Sequence, residues 1–373
     1  MLRAAYVTGN PESHAFRGIG IYNKRLLPVL KALGKKQGIY IDEITNYQSL
    51  TTNHYSVVHW PYFDLFFNTF EPINEGTRNV VTIYDCIPLI YPKYYPPGMK
   101  GRLNFQKQKQ ALQKVDAVIT ISETSKKDIV RFLDVPAEKI HVVYAGLGNP
   151  TSHKALRGKQ DGIKKKYDLP EKFILYVGDV NYNKNIVNLV KAIKIAKIPL
   201  VIVGKHATML EDSVNYEVHL EGPRDMVRWF MGKLHPEISH YKKLLNEIGS
   251  TKLIRRLGFV EADELSAIYS LASAYCQPSF YEGFGMGVLE AFTAGVPVVD
   301  ARTQALVEIA GDAARYVNPR DYKDIAKGLI KVISDDKLRK ELVLKGKKRL
   351  KFFSWIKTAK LILDAYREVA SGQ

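Results

Sequence analysis

The feature that most constrains the fold is a regular alternation of short, β-rich apolar runs with stretches of helical spacing. In the first half of the chain the strand-like runs are "LRAAYVTG", "SVVHW", "NVVTIYD", "AVITIS" and "KIHVVYAG". Pro28 is expected to interrupt the first helical stretch, and Ser122, or alternatively Ser125, is placed to cap a later one. Strands that alternate with helices predict a parallel, doubly wound α/β sheet.

The alternation restarts after a polar and basic stretch, 148–172, that contains few large apolar residues. The second set of strand-like runs is "FILYVG", "PLVIVG", "KLIRRLGFV", "AYCQPS", "GVPVVD" and "AARYVN". A chain of 373 residues is long enough for two or three domains. We therefore predict an N-terminal α/β domain over 1–155 and a C-terminal one over 165–354, joined by a linker.

One connection in the second half is longer than a doubly wound fold requires. It runs from about 206 to 242 and includes "DMVRWFMGKLH". Loops of this length are usually functional or disordered. Two interpretations stay open: a helical insertion that packs its own aromatic side chains, or a lid or acceptor-binding element.

The composition is that of a globular enzyme, with 46% hydrophobic and 25% charged residues. The two cysteines, Cys86 and Cys276, lack metal-ligand spacing and fit a reducing compartment. The first residues hold too short an apolar run for a secretory signal, and no run approaches the ~18 residues of a membrane span. We therefore expect a cytoplasmic protein, with peripheral binding to the inner face of the membrane left open.

The strongest local signal is "PSFYEGFGMGVLEAFTAGVPVV", from Pro278 to Val299. A strand ends at Ser279, a glycine-rich turn follows, and the turn opens a helix. Glycine permits unusual backbone angles and close approach to a ligand. The first amide groups of the helix lack intrahelical acceptors, and together with the helix dipole they suit a diphosphate. Glu282 before the turn and Glu290 within the helix would flank that diphosphate.

This stretch resembles the E-x7-E donor-site signature of the retaining glycosyltransferases of family 4, which have the two-domain GT-B fold. The resemblance covers almost the whole chain and includes "RGIGIYNKRLL", "VVTIYDCIPLIYPKYYP", "AVITISETSKKDI", "LYVGDVNYNKNIVNLVKAI", "EIAGDAARYVNP" and "FSWIKTAKLIL". It implies two Rossmann-like domains facing across a cleft, an N-terminal acceptor domain and a C-terminal nucleotide-sugar donor domain. It also implies that the last helix, over 355–371, crosses back to the first domain.

The resemblance implies donor-binding roles for particular positions. Glu290 would hold the ribose, and Lys184 would stabilise the diphosphate of the leaving group as a point charge. Val260 would lie near the base, and Lys205 is a candidate to assist Lys184. The other donor-binding residues would act through backbone amides or close approach, and they are Gly18, Gly20, Phe284, Gly285, Met286 and Gly287.

Catalytic roles are expected for Glu282, which would contact the donor sugar, and for Tyr84 and Asp85 at the end of a strand. His59 ends another strand and fits either a cleft or a buried, hydrogen-bonded position. No metal is expected, because lysine and helix amides would neutralise the leaving group and no D-x-D motif stands in a loop. No cofactor is expected beyond a nucleoside diphosphate sugar as co-substrate.

The chain departs from the family pattern at four positions. Tyr84 stands where the family usually has histidine, and a phenol cannot shuttle a proton near neutral pH. Asp179 stands where a basic residue is frequent, and Asn183 replaces an arginine. Gly287 replaces a proline. These departures leave the fold prediction intact and put the catalytic assignment in doubt.

The net charge of +17 favours anionic partners. The segment 86–115 contains no acid. Its basic and aromatic residues are Lys93, Lys100, Arg102, Lys107, Lys109 and Lys114, with Tyr91, Tyr94, Tyr95 and Phe105. Such a segment suits an anionic membrane surface or a lipid-diphosphate acceptor, or it forms a solvated helix face and a proline-rich loop. We find no nucleic-acid recognition motif.

The sequence therefore predicts a metal-independent, retaining glycosyltransferase that moves a hexosyl unit to an acceptor hydroxyl in glycan or surface polysaccharide synthesis. "TIYDCIPLIYP" most resembles bacterial mannosyltransferase-like members, so GDP-mannose is the first donor and a UDP-sugar the second. Three alternatives stay open: a sugar-nucleotide epimerase on the same fold, a non-catalytic glycosyltransferase-like partner, and a basic membrane- or nucleic-acid-binding protein.

Overall fold

The structure is a computed structural model that describes residues 2–8, 18–45, 50, 54–69, 76–147, 160–216 and 236–372. In these ranges the strands are β1 (Leu2–Val7), β2 (Ile39–Ile44), β3 (Val57–Trp60), β4 (Arg78–Thr82), β5 (Ala117–Thr120), β6 (Ile140–Val142), β7 (Ile174–Val177), β8 (Leu200–Val203), β9 (Ile254–Leu257), β10 (Ala274–Gln277), β11 (Val298–Ala301) and β12 (Ala314–Val317).

The α-helices of the described ranges are α1 (Gly18–Lys36), α2 (Ile87–Ile90), α3 (Met99–Leu112), α4 (Glu123–Leu133), α5 (Gln160–Tyr167), α6 (Ile186–Ala196), α7 (Lys205–Thr208), α8 (Leu210–Tyr216), α9 (Pro236–Gly249), α10 (Ala262–Leu271), α11 (Met286–Thr293), α12 (Gln304–Ala310), α13 (Tyr322–Ser334), α14 (Asp336–Arg349) and α15 (Trp355–Ser371). Short 3-10 turns cover Ala137–Lys139, Tyr182–Lys184 and Leu350–Phe352.

The chain divides into two compact units. Unit 1 comprises Met1–Pro92, Pro96–Gly148 and Lys351–Gln373. Unit 2 comprises Lys93–Tyr95 and Asn149–Leu350. The final helix α15 therefore belongs to unit 1, and a tripeptide from the first half of the chain belongs to unit 2.

Each unit contains a six-stranded parallel sheet, which confirms the predicted fold class. The strand order is β2-β1-β3-β4-β5-β6 in unit 1 and β12-β11-β10-β7-β8-β9 in unit 2. All residues of β3, β5, β8, β10 and β11 are buried. Parallel sheets read as continuous apolar runs because helices cover both faces, which is why the strands were visible in the sequence.

Helix α15 completes the core of unit 1. Its buried face includes Ile362, Leu363 and Tyr366, and the helix packs along α1. Its N-cap Ser354 accepts a hydrogen bond from the amide of Lys357 at 3.2 Å. Because α15 packs along α1, these contacts add to the burial of the apolar side chains of α1 and help to stabilise that helix.

The prediction that Pro28 interrupts α1 is wrong, because the helix continues from Gly18 to Lys36 with Pro28 inside it. Proline removes one backbone hydrogen bond and crowds the preceding turn. Leu26 and Leu30 flank it and are fully buried. Tertiary packing of such a face contributes most of the stability of a helix in a protein, and here it outweighs the cost of the proline.

Other local predictions are confirmed or fall outside the described residues. Ser122 is the N-cap of α4 and accepts a hydrogen bond from the amide of Ser125 at 2.9 Å. The long connection contains α7, α8 and the first part of α9. The prediction of a lid or a helical insertion there depends mainly on 217–235, which lie outside the described residues.

Candidate functional site

Two loops of unit 2 meet at the point where the strand order reverses. Strands β7 and β10 are neighbours in the sheet although β8 and β9 lie between them in the chain. Ligands of doubly wound folds bind beside the carboxyl ends of the strands at such a switch point. The loop 178–185 follows β7 and the loop 278–285 follows β10. These are the loops that carry Lys184 and Glu282.

Lys184 and Glu282 form an ion pair that is largely shielded from water. Lys184 Nζ lies 2.9 Å from Glu282 Oε1 and 2.8 Å from Oε2. The side chain of Glu282 is 9% exposed and that of Lys184 22%. Because the lysine contacts both carboxylate oxygens and the loop is largely shielded from solvent, the orientation of the Glu282 carboxylate is fixed.

Two neutral side chains hold Glu282 from the other side. Gln277 Nε2 donates to Glu282 Oε1 at 2.8 Å, and Ser279 Oγ donates to the same atom at 2.6 Å. The hydroxyl of Tyr275 donates to Gln277 Oε1. Our sequence reasoning missed these three residues. The signal was present, because positions 275, 277 and 279 alternate along an extended segment and therefore point to one face.

The glycine-rich turn ends at Gly285, which caps α11 with φ of 121°. Only glycine adopts this backbone angle readily, and a Cβ there would lie 2.9 Å from Leu306 Cδ2. Helix α11 begins at Met286, as the sequence predicted. Its N-cap residue is Gly285, which has no side chain that could bond the first amides of the helix. A helix start of this kind offers backbone donors and the positive end of the helix dipole to an anion.

Gly287 has a packing reason that explains one departure from the family pattern. A Cβ at position 287 would lie 2.1 Å from Tyr275 Oη and 2.8 Å from its Cζ. Neither proline nor alanine fits beneath this phenol without a rearrangement. Tyr275 and Gly287 are therefore matched in size at this contact.

Glu290 lies in the second turn of α11 and is partly buried. Its Oε2 accepts a hydrogen bond from the hydroxyl of Tyr269 at 2.9 Å. Phe284 is buried, and Met286 is partly exposed. The expected donor-binding residues of this stretch thus surround one helix start.

Val260 and Lys205 follow the carboxyl ends of β9 and β8. Val260 is 6% exposed, and Lys205 is an exposed residue at the start of α7. Asp179, which replaces the usual basic residue, forms an ion pair with His206, with Nδ1 and Oδ1 2.8 Å apart. The negative charge at 179 therefore has a local partner.

A buried carboxyl, missed from the sequence, lies on the neighbouring strand. Asp300 of β11 pairs in register with Gln277 of β10 and has no solvent exposure. Among the residues that the structure describes, neither carboxyl oxygen has a hydrogen-bonding side-chain partner. Burial, and secondarily the charge of Glu282, raises the pKa of Asp300 well above its usual value. A carboxyl in such surroundings favours the neutral, protonated form.

In unit 1, Tyr84 and Asp85 follow β4. The hydroxyl of Tyr84 donates to Pro61 O at 3.1 Å, and Asp85 Oδ1 accepts from the amide of Ile87 at 3.0 Å. Burial raises the pKa of Tyr84 well above 10. Tyr84 therefore stays a neutral phenol throughout the physiological pH range.

His59 is a buried structural residue, which is the second of the two positions, cleft or buried and hydrogen-bonded, that the sequence left open for it. It has no solvent exposure, and its ring nitrogens lie 2.6 Å from Tyr366 Oη and 2.7 Å from Thr82 Oγ1. Burial lowers the pKa of His59 to about 3. The side chain is neutral and both its nitrogens are satisfied, because α15 closes over the end of β3.

Gly18 and Gly20 were expected to lie in a loop that approaches the donor, but the structure places them in a helix. Both residues lie in the first turn of α1. Glycine is tolerated there because the first amides of a helix have no intrahelical bond to lose. The residues 9–17 before them lie outside the described part.

No helix among the described residues is long and apolar enough to cross a membrane. In the same described ranges, no three His, Cys, Asp or Glu side chains group together in a way that would hold a metal ion.

Two doubly wound parallel sheets, one with a charged loop pair at its switch point, are the architecture of GT-B glycosyltransferases. The family model "Glycosyl transferases group 1" matches residues 159–349, and "Glycosyltransferase Family 4" matches residues 9–147. The chain belongs to this family of glycosyltransferases.

Several bacterial relatives are similar over most of the chain. O-antigen chain mannosyltransferase B of Escherichia coli is 27% identical over 296 residues, which are 78% of this chain and 70% of the relative. The serotype-specific mannosyltransferase WbdA of Escherichia coli is 25% identical over 305 residues, 79% of this chain but 35% of the relative. The chain thus spans about a third of the latter protein's length.

Solved structures share the fold at low identity. A sucrose-phosphate synthase from Thermosynechococcus elongatus has a TM-score of 0.67 and 18% identity, with 100% of both chains covered. Anabaena HepE, solved in complex with UDP and glucose, has a TM-score of 0.64 and 15% identity, with 98% of this chain and 99% of HepE covered.

Proposed function

We propose that this glycosyltransferase transfers a mannosyl unit from GDP-mannose, or failing that a hexosyl unit from a UDP-sugar, to an acceptor hydroxyl in surface polysaccharide synthesis. The mannosyltransferase activities for which the Escherichia coli relatives are named support mannose as the sugar, and the O-antigen chain in one of the names supports a glycan as the product. The observation that carries the proposal is the Lys184–Glu282 pair held at the switch point of unit 2 beside the start of α11.

The arrangement suits a leaving nucleoside diphosphate. Lys184 and the first amides of α11 would stabilise the negative charge that develops on the diphosphate as the bond from the anomeric carbon to the phosphate oxygen breaks. Glu282 would remain fixed by Gln277 and Ser279 when the lysine turns to the phosphate. Glu290 would accept hydrogen bonds from the ribose, with Tyr269 holding its carboxylate.

The proposed transfer keeps the configuration of the anomeric carbon. The acceptor oxygen forms the new bond on the face from which the diphosphate departs, and the departing phosphate oxygen takes the acceptor's proton. This route needs no strong protein base near the acceptor, which is consistent with Tyr84 being a neutral phenol. Proton NMR of the product would identify the anomer, and inversion would reject this mechanism.

We also propose that the enzyme needs no metal ion, since a lysine and helix amides can neutralise the leaving group. The test is a thermal-shift panel of GDP, UDP, ADP and their sugars, with and without EDTA. A ligand at a hundred times its Kd stabilises by about 2.7 kcal/mol. We expect one nucleotide class to stabilise the wild type with EDTA present, and Glu290→Gln to lose that shift. Stabilisation that EDTA abolishes would reject metal independence, and no shift with any nucleotide would reject the proposed donor site.

Unit 1 supports a further partner, the anionic surface of a membrane. Its exposed large apolar side chains include Phe67 at 69%, Met99 at 71% and Leu103 at 65%. Exposed basic residues share α3 with two of them, and these are Lys100, Arg102 and Lys107. Apolar side chains among lysine and arginine fit the boundary between headgroups and acyl chains of an anionic bilayer.

The aromatic residues expected at this surface are differently placed. Phe105 packs against Phe66, and Tyr94 and Tyr95 belong to unit 2. We expect sedimentation with vesicles that contain phosphatidylglycerol, weaker binding at high salt, and loss of binding in Met99→Ser/Leu103→Ser. The control is Lys347→Ala/Lys348→Ala, which removes two exposed charges from α14. Equal loss in this control would show that only net charge matters.

A further inference from the structure

The tripeptide Lys93–Tyr95 is part of unit 2, although the residues on both sides of it belong to unit 1. It packs on the turn that carries Lys184. From the sequence, Tyr94 and Tyr95 were expected to be interfacial aromatics for a membrane. Their contacts instead connect them with the residues of the proposed donor site.

Tyr95 contacts this turn through a hydrogen bond to Asn183. Its hydroxyl donates to Asn183 Oδ1 at 2.6 Å. Asn183 is 3% exposed and immediately precedes Lys184. An acceptor buried to this degree needs its donor, because the desolvation of the amide oxygen is otherwise uncompensated.

Asn183 joins the two loops of the switch point. Its Nδ2 donates to Tyr281 O at 3.1 Å, and its backbone oxygen accepts from the amide of Phe280 at 2.8 Å. Tyr281 is the neighbour of Glu282 in the chain. The side chain that Tyr95 bonds is thus one of the links between the loop of Lys184 and the loop of Glu282.

Tyr94 stabilises the same turn by stacking. Its ring lies parallel to that of Tyr182, with centroids 3.3 Å apart and planes inclined by 8°. On the other side of the turn, α9 contributes Tyr241, whose hydroxyl lies 3.1 Å from Asn181 Oδ1. Consecutive residues of the turn therefore have separate contacts, and Asn183 links the tripeptide to the second loop through Tyr95 on one side and Tyr281 O on the other.

We infer that Tyr95 is a positioning residue for Lys184, acting through Asn183, in the binding of the diphosphate of the donor. This inference rests on the proposed function of unit 2. It also gives a reason for asparagine at 183: a short amide completes a bridge from Tyr95 to Tyr281, and the lysine at 184 is left as the charged group of the turn. At position 183 the chain thus has an asparagine that Tyr95 holds by a hydrogen bond, where the family pattern has a charged arginine.

The test compares two single hydroxyl deletions in neighbouring residues. Tyr95→Phe removes the donor to Asn183, and Tyr94→Phe keeps the ring that stacks on Tyr182. Calorimetric titration would measure the Kd for GDP, or for UDP if that is the better ligand, and competition would measure the Kd for the corresponding nucleoside. We expect Tyr95→Phe to raise the Kd for the nucleoside diphosphate about tenfold. The Kd for the nucleoside should stay within about twofold, and Tyr94→Phe should match the wild type for both.

A double-variant cycle separates positioning from a general loss of structure. If Tyr95 acts through Lys184, Tyr95→Phe should have no further effect on diphosphate binding in a Lys184→Met background. Equal losses for nucleoside and nucleoside diphosphate would mean a merely structural role and overturn the inference. An unchanged Kd in Tyr95→Phe would also overturn it while leaving the proposed function standing. A wild type that binds no nucleoside diphosphate would overturn the proposed function and this inference with it.

Discussion

The two units bury titratable groups of opposite kind in sheets of the same architecture. In unit 1, His59 is neutral and both ring nitrogens have partners, Tyr366 and Thr82. In unit 2, Asp300 is equally inaccessible, but within the described part of the chain neither of its carboxyl oxygens has a side-chain partner. A satisfied polar group in a core costs little, whereas an unsatisfied one costs free energy of folding. Unit 1 uses its buried polar network for stability, and unit 2 tolerates a buried acid one strand away from its charged site.

The largest expected effect is on turnover, at the charged site of unit 2. Lys184→Met should lower the turnover by about 10²- to 10³-fold, because a charge aimed at the leaving group contributes mainly in the transition state. Initial rates with donor and acceptor would measure it. The control is Lys331→Ala, which removes an exposed lysine of α13 and should match the wild type. Full activity in Lys184→Met would remove the lysine from the mechanism.

A second prediction concerns the Tyr275–Gly287 pair. Gly287→Ala should destabilise unit 2 by about 3 kcal/mol, since its Cβ would meet the phenol oxygen of Tyr275 at 2.1 Å. Gly287→Ala/Tyr275→Phe should recover part of this loss, because the nearer of the two conflicting atoms, the phenol oxygen, is gone while Cζ at 2.8 Å remains. Thermal unfolding would measure both variants. A lack of recovery would mean that the backbone, and not the phenol, requires glycine.

The pH dependence of unit 1 should follow His59. Burial depresses the pKa of His59 to about 3, below the value near 6.5 of an unfolded chain. This contribution to stability is therefore present above about pH 6.5 and is lost as the pH falls, by about 1.4 kcal/mol per pH unit. Between pH 7.5 and pH 5 we expect a loss of about 2 kcal/mol, measured by hydrogen exchange of peptides that contain β3. His59→Gln should flatten the profile.

The pH dependence of unit 2 from Asp300 should have the opposite sign. The folded-state pKa of Asp300 is raised, so its contribution is fully present below about pH 4 and is lost as the pH rises. Asp300→Asn should stabilise unit 2 by about 1 kcal/mol at neutral pH, with the remaining desolvation of the amide limiting the gain. Hydrogen exchange of peptides from β11 would measure it. A gain that does not grow with pH would mean that Asp300 is ionised in the folded protein.

Much of the fold was predictable because its signals are local. Buried parallel strands are continuous apolar runs. The turn before α11 is recognisable in the sequence from its glycines and from the acids at 282 and 290. Family membership then followed from motifs spread over both halves. The positions of Lys184 and Glu282 at one switch point follow from the strand order, which the structure gives and the alternation of elements did not.

The sequence failed wherever a contact joined distant parts of the chain. His59 was ambiguous because its partner Tyr366 stands 307 positions later. Pro28 was misjudged because α15 supports the helix that contains it. Tyr95 resembled a surface aromatic because its bond to Asn183 spans 88 positions. Hydropathy and spacing carry no information on such pairs.

The membership of α15 in unit 1 has a consequence for synthesis. All strands of unit 2 are translated before Trp355, the first residue of α15. Domains generally fold as units while the chain emerges from the ribosome. Unit 2 can therefore reach its native state first, whereas unit 1 keeps one flank of α1 and the ring of His59 uncovered until α15 has been translated.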